Sequence, residues 1–400
     1  MGTRALPIVL CLALPTFAQR PVDGGDPLQR RPGPARPGAD GPGLDGPGVG
    51  EPGGPERLLT PEQEQLFRLG RALFDRDFHR SSGLGAPDMN ADSCRACHQD
   101  PVLGGAGGLE LNVSRFARDH AGAGPFEDLP GGQALSRLRP PWMAAREEYD
   151  PLEADLFEQR QTPSILGDGL IDGIPDAVIL AGEDPTDLDG DGIRGIARRL
   201  SIDGTIEIGR FGWKAQVPHL ADFVRDALGG ELGLTTRNDG RGFALTSDAD
   251  ALADPEIEDL QVEYFAFFLG NLAAPRRTGS LEPEVLRGEL LFAQVGCVRC
   301  HVPELPGSDG PVPLYSDLLL HDVWPATFRG MSEPGAGPGL FRTPPLWGIR
   351  TTAPYLHDGR ASDLRAAILA HDGEARGVRF AFESLSVDGK NALLAFLNDL

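Results

Sequence analysis

Residues 94–98 read CRACH and residues 296–301 read GCVRCH. Two thiols at this spacing can add across the two vinyl groups of a haem, and the histidine that follows then reaches the iron. Zinc usually takes four protein ligands, and each stretch offers an isolated trio. A redox dithiol explains neither the histidine after both pairs nor the amphipathic segment before each. The two stretches therefore read as attachment sites for two covalently bound haems c. Cys94 and Cys97 hold the first and Cys297 and Cys300 the second, with His98 and His301 as proximal iron ligands. The remaining cysteine, Cys11, falls in the N-terminal leader, so no disulfide framework is left.

Working outward, each site has the same surroundings. LFRLGRALF (66–74) and EVLRGELLF (284–292) are amphipathic, carry a glycine and lead into a CxxCH. QTPSILG (161–167) echoes RTPPLWG (342–348), AVILAGED (177–184) echoes AAILAHDG (366–373), and FAFFLGNL (265–272) echoes LLAFLNDL (393–400). Echoes in the same order point to an internal duplication. The expected fold is mainly α, in two units spanning 57–274 and 280–400, with short helices between long Gly/Pro-rich loops. The first unit carries insertions at 100–159 and 184–254, and the alternation in SIDGTIEIG (201–209) predicts a small β hairpin strand there. Thr60-Pro61-Glu62-Gln63 is a capping box that should begin the first helix.

Ahead of that helix, residues 1–18 read as a secretory signal peptide, with Arg4, an apolar stretch and Thr-Phe-Ala before Gln19. Residues 19–56 are more than half Gly and Pro, without an aromatic, and read as a disordered tether. Past the leader no apolar run approaches the ~20 residues of a membrane helix. The expectation is a soluble, periplasmic or otherwise exported protein that does not span the membrane. The formal charge of −22 argues against nucleic acid as a partner and admits a basic protein.

From about residue 57 onward the chain resembles the bacterial di-haem oxidoreductases, a peroxidase-like family also labelled thiol-oxidoreductase-like. The resemblance is carried by CRACH, RQTPSILG, DLDGDGIRG, GRFGWKAQVP, GCVRCH, YSDLLLHD, FRTPPLWGIRTTAPYLHDGR and AILAHDGEA. That family is related to di-haem cytochrome c peroxidases and to the di-haem enzyme that matures a tryptophan-derived cofactor. It implies two cytochrome c-like domains, one haem serving as a six-coordinate electron relay and the other meeting peroxide. In the relatives the sixth ligand of the second haem stands eight residues after a Thr that follows HDG, and the same count from Asp363 ends on His371. The resemblance thus implies His301 and His371 as the second iron's ligands. Met331 and His321 remain rivals, and a structural role for His371 also stands.

The internal echo puts Gly182 and Glu183 opposite the first iron. Glycine offers no ligand, so that iron is expected to be open to peroxide. Glu183 is the candidate to move a proton between the peroxide oxygens, or else the start of an acidic loop. His120 or His79 could close the site at rest. Where cytochrome c peroxidases place a tryptophan between their haems this chain has Ile171, and Trp213 is either a substitute bridge or a core residue. Arg160 and Arg342, beside the two Thr-Pro turns, are candidates to pair haem propionates, surface arginines being the plainer reading. Asp187, Asp189, Asp191 and Gly192 spell the first half of a calcium loop, but its twelfth position is Arg198, leaving a looser Ca2+ site or an acidic turn.

The expected function is a di-haem c-type oxidoreductase, peroxidase-like, with peroxide as oxidant. Its partner is an electron-donor or acceptor protein or a small redox carrier. The alternative is a non-enzymatic electron carrier with both haems six-coordinate, which the exchange of His371 for Gly182 disfavours.

Overall fold

The hydroxyl of Thr60 accepts the amide of Gln63 (3.3 Å) while the Gln63 side chain accepts the amide of Thr60 (3.0 Å). This reciprocal cap starts helix α1 (Pro61–Phe74), whose buried positions Phe67, Gly70 and Phe74 fall along one face. The computed structural model describes residues 47–85, 89–129, 153–248 and 250–400; the leader and residues 19–46 of the tether lie outside the described residues. After α1 come α2 (Asp168–Asp172), α3 (Asp176–Ala181), α4 (Leu220–Leu232) and α5 (Asp259–Gly270). Then follow α6 (Pro283–Val295), α7 (Leu364–Ala370), α8 (Arg376–Glu383) and α9 (Val387–Leu397).

Short strands pair as antiparallel ribbons: β1 (Val113–Ala117) with β2 (Leu156–Arg160), β3 (Arg199–Ile202) with β4 (Thr205–Ile208), β5 (Leu305–Gly307) with β6 (Gly310–Val312), and β7 (Leu320–Asp322) with β8 (Leu340–Arg342). The stretch 201–209, expected to be one strand, is instead most of a hairpin. Asp203 and Gly204 take positive φ (46° and 76°) and turn the chain back on itself.

Two helix pairs carry the architecture. Helix α1 crosses α5 at Gly70, where a Cβ would lie 2.0 Å from the Tyr264 carbonyl oxygen and 2.5 Å from Phe268 Cβ. Helix α6 crosses α9 at Gly288, where a Cβ would lie 1.9 Å from the Ala392 carbonyl oxygen and 2.8 Å from Phe396 Cβ. Only glycine permits either approach. Around each crossing the rings meet alike: Phe74 and Phe268 at 5.5 Å and 54°, Phe292 and Phe396 at 5.3 Å and 59°. Each buried Phe contributes about 2–3 kcal/mol by removal from water, so both crossings are held by apolar burial.

Two expectations about boundaries need correction. Residues 47–56, assigned by composition to the tether, pack on the body: the amide of Ala273 donates to Gly54 (2.9 Å), the amide of Glu56 to Asn271 (2.8 Å), and Arg71 to the Gly53 carbonyl (2.9 Å). Glycine there allows close approach to a neighbouring backbone as well as freedom. The division near 274–280 is also not a break in packing, because residues 47–400 form one compact unit. Leu314, Leu318, Leu319 and Trp347 share a core with Phe74, Phe268 and Ile171. Arg277 binds Asp399 (2.8 Å) and Glu289 (2.8 Å), pinning the connection itself.

Candidate haem sites

Each CxxCH forms the same tight turn, with the histidine amide donating to the first cysteine's carbonyl: His98 to Cys94 and His301 to Cys297, both at 3.0 Å. His98 Nδ1 lies 3.2 Å from the Gly105 carbonyl oxygen and His301 Nδ1 3.1 Å from that of Tyr315. A ring that donates through Nδ1 keeps its Nε2 lone pair for a metal. The His98 ring meets Phe74 at 6.2 Å and 54°, and the His301 ring meets Phe292 at 6.4 Å and 51°. Burial lowers His98 to about 4, and burial followed by the neighbouring His371 lowers His301 to about 4. Both are therefore neutral, as ligation requires. Burial also pushes the Cys94 and Cys297 thiols up to about 12. Among the described residues, the side-chain clusters that could hold a metal ion include neither proximal histidine.

A cavity of about 280 Å³ opens beside the second turn, lined by Cys297, Cys300, His301 and His371. His371 caps α7, and its Nδ1 lies 2.8 Å from the Ala367 carbonyl oxygen one turn back. Nε2 is thereby the free nitrogen. The two rivals sit differently. Both nitrogens of His321 are engaged, Nε2 by Asp317 (2.8 Å) and Nδ1 by Glu374 (3.1 Å). Burial opposes its charge, but the hydrogen bonds to Asp317, Cys300 and Glu374 prevail and raise it to about 12. With a carboxylate on each ring nitrogen, His321 is poorly disposed to offer a lone pair to an iron. Met331 is buried in a separate cluster with Ala117 and Leu156.

Trp324 Nε1, Arg342 Nη1, both ring nitrogens of His357 and Arg379 Nε are buried without a hydrogen-bond partner, and all four residues line this cavity. Such orphaned groups cost about 1–3 kcal/mol each. The carboxylates of a haem would accept from the indole, the guanidinium nitrogens and the one N–H of a neutral His357, so the residues present fit that group. Arg342 stands where the sequence suggested. Arg160 does not reach the cavity: its Nε donates to Glu158, and its guanidinium lies 5.4 Å from the centre of the Phe341 ring. Charge pairing with Glu158 and Glu333 has drawn it into a buried network. Lys214 joins it there, its Nζ donating to the carbonyls of Gly337, Pro338 and Leu340.

The residues expected at the first site fare less evenly. Helix α3 ends at Gly182, which is exposed, and Glu183 gives both oxygens to Arg199 (2.7 Å each) and accepts the Ala197 amide (3.0 Å). The hydrogen bonds from Arg199 hold this carboxyl below its ordinary range. A carboxylate kept ionised in a two-point pair is a poor proton shuttle, which corrects the acid–base role given to Glu183. His79 and His120 are exposed, and His120 lies 3.3 Å from Glu127. Asp184, Asp187 and Asp189 bring their carboxylates together, whereas Asp191 accepts the Ile193 amide (2.9 Å) and faces Arg299 (3.6 Å). The acidic trio is thus displaced from the one read in the motif, with Asp191 turned toward Arg299 instead.

Other residues emerge only in three dimensions. Asp168, which opens α2, lines the cavity, and burial raises it to about 7 although Arg342 opposes the shift. An acidic residue following an apolar Thr-Pro turn was its only signal in sequence. Trp213 lines the cavity and donates Nε1 to the Gln161 carbonyl (2.8 Å). Trp347 lines it too while belonging to the core that receives Cys94 and Cys97. A Cβ at Gly167 would lie 2.6 Å from Trp347 Cζ2, so that glycine makes room for the indole. Ile171 is buried in the same core.

Residues 152–400 match the family described as "Di-haem oxidoreductase, putative peroxidase". No curated protein matches the chain. Among solved structures it is similar to hydrazine synthase of Kuenenia stuttgartiensis at 17% identity, covering 93% of this chain and 100% of that one, with a TM-score of 0.43. It is similar to a MauG-like protein associated with microbial copper homeostasis at 17% identity, with coverages of 88% and 92% and a TM-score of 0.41. A point variant of the diheme peroxidase BthA from Burkholderia thailandensis shares 16% identity, with coverages of 84% and 85% and a TM-score of 0.37. These three likenesses are distant and carry no functional weight.

Proposed function

The chain belongs to the di-haem oxidoreductase family, and from that premise we propose that it is an exported c-type enzyme, built by internal duplication, whose first haem meets peroxide while its second passes electrons. Cys94 and Cys97, and Cys297 and Cys300, would hold the two haems through thioethers, with His98 and His301 as the iron ligands of the attachment motifs. A bound haem supplies an iron that changes oxidation state and, where a coordination position is free, accepts peroxide. The protein decides which iron is free. His371 closes the second site and Gly182 leaves the first without a side-chain ligand.

The observation that carries this reading is the disposition of His371: Nδ1 is held by the Ala367 carbonyl, and the ring shares a cavity with His301. Reducing peroxide to water takes two electrons and two protons. Asp168, in the wall of the cavity beside His301 and His371 and raised to about 7 by burial, is the carboxylate we assign to relaying a proton toward the first site. Arg342, His357 and Trp324 would hold haem carboxylates, and Trp347, in the cavity wall and in the core that receives Cys94 and Cys97, is the indole that links the two sites. The acidic surface favours a basic electron partner. A calcium ion on Asp184, Asp187 and Asp189 would steady the loop after α3. No helix among the described residues is long and apolar enough to cross a membrane.

Titration of the reduced, haem-loaded protein with carbon monoxide tests the reading. One molecule bound per chain, rising to two in His371→Gly, is the expected result, together with peroxide turnover by the unmodified protein. Two bound, or none, in the unmodified protein would sink it, and none would instead favour the electron carrier.

A further inference from the structure

Directly after His371 the chain reads Asp-Gly-Glu, and this turn is fastened to the strand of the opposite wall. The amide of Asp372 donates to the Val323 carbonyl (2.8 Å). Gly373 has φ +51°, and a Cβ there would lie 2.3 Å from the Asp322 carbonyl oxygen. Glu374 then reaches His321 Nδ1 (3.1 Å), while His321 Nε2 reaches Asp317 (2.8 Å). The three side chains are 4–7% exposed, and His321 Nδ1 also lies 3.8 Å from Cys300 Sγ. One buried chain of contacts thus runs from the haem-attachment cysteine, through His321, to the residue three positions beyond His371. Glu374 takes a further bond from the first half, the amide of Arg194 (3.0 Å), at the end of the acidic loop.

The echoing turn is fastened differently: the amide of Asp184 donates to the Gly195 carbonyl (2.9 Å) and Glu183 accepts from Ala197 and Arg199, with no buried His–carboxylate pair at the position of Glu374. Aligning AVILAGEDP (177–185) with AAILAHDGE (366–374) sets Gly182 against His371 and Pro185 against Glu374. Where the ligand is missing, the carboxylate that would fasten it is missing as well. Buried charge-assisted hydrogen bonds are strong and directional, and metal ligands depend on partners that fix their orientation. We propose that Glu374 and His321 are positioning residues forming a latch that holds His371 over the second haem, and that Arg194 ties this latch to the acidic loop of the first half. The proposal rests on the reading of His371 as a ligand.

The test uses the full chain loaded with both haems, in the unmodified form and as Glu374→Gln, His321→Gln, Arg194→Ala and His371→Ala. The latch predicts that Glu374→Gln and His321→Gln keep two haems per chain but bind close to two carbon monoxide molecules when reduced, instead of one. They should also lose most of the low-spin signal of the oxidised protein, and millimolar free imidazole should restore it. Arg194→Ala, which removes the guanidinium facing Glu374 (3.6 Å) and keeps the backbone bond, should loosen the latch partly and raise carbon monoxide binding to between one and two per chain. If His371→Ala opens the second site while both latch variants still bind one carbon monoxide, the latch is wrong and the ligand reading survives. If His371→Ala itself leaves the low-spin signal intact, the ligand reading fails first. Glu374→Gln is nearly isosteric; should it not accumulate as folded protein, His321→Gln, which keeps an amide donor, decides the matter by the same readouts.

Discussion

The two CxxCH turns are alike below the haem and unlike above it. Below, each has a helix crossing at a glycine, a phenylalanine tilted against the histidine ring and a carbonyl on Nδ1. The echoing helix ends differ: α7 ends at His371, whose ring shares the cavity with His301, whereas α3 ends at the exposed Gly182 and a Glu183 committed to Arg199. Attachment of a haem makes the same demands wherever it occurs, so the lower side repeats. What the iron can do depends on the sixth position, so the upper side is where one site can differ from the other.

The comparison can be broken most severely at the attachment cysteines. Cys297→Ser with Cys300→Ser should halve the haem content from two per chain to one, read by the pyridine haemochrome assay, and Cys94→Ser with Cys97→Ser should do the same. Loss of both haems in either variant would mean the two sites are not separable. Next in size, Asp168→Asn should lower peroxide turnover by roughly a hundredfold, the scale of general acid–base catalysis. The carboxyl is protonated below about 7 and ionised above it. As a proton acceptor it makes kcat/KM rise with pH through that value, and the variant should lose this limb. An unchanged pH profile would remove Asp168 from the reaction.

At the repeated crossings, Gly70→Ala and Gly288→Ala should each destabilise the fold by about 1–3 kcal/mol, since a methyl group must push one helix off a neighbouring carbonyl. Thermal unfolding of the two variants should shift by comparable amounts, and a large inequality would argue against equivalent helix pairs. The smallest effect concerns Glu183. Its lowered pKa means that the pair with Arg199 stabilises the protein above the ordinary carboxyl range and that this contribution is lost as pH falls through the native value. Arg199 is half exposed, so solvent screening limits the pair to about 1 kcal/mol. Glu183→Gln should leave turnover within about twofold, and a larger loss would restore it to the reaction.

What the sequence disclosed follows from range. The CxxCH turns and the Thr60 cap are written in neighbouring residues and could be read directly, whereas Gly70 and Gly288 showed only as glycines in amphipathic segments until the helices that cross them were placed. Glu183 misled because its partner, Arg199, lies beyond the loop that seemed to own it. The glycines at 53 and 54 looked like tether because the donors to their carbonyls come from residues 71 and 273. Asp168 drew no notice because its character comes from burial, and His321 could be excluded as a ligand only once Asp317 and Glu374 were seen on its two nitrogens. Local chemistry shows in the chain itself, whereas the state of a charged group depends on which distant residues fold against it.

The central claim is that one iron is open and the other closed by two histidines. Low-temperature electron paramagnetic resonance of the haem-loaded protein, fully oxidised and half-reduced, addresses it directly. The account predicts a high-spin signal beside a low-spin one, with the low-spin signal lost in His371→Ala. Two low-spin signals in both states of the unmodified protein would contradict it.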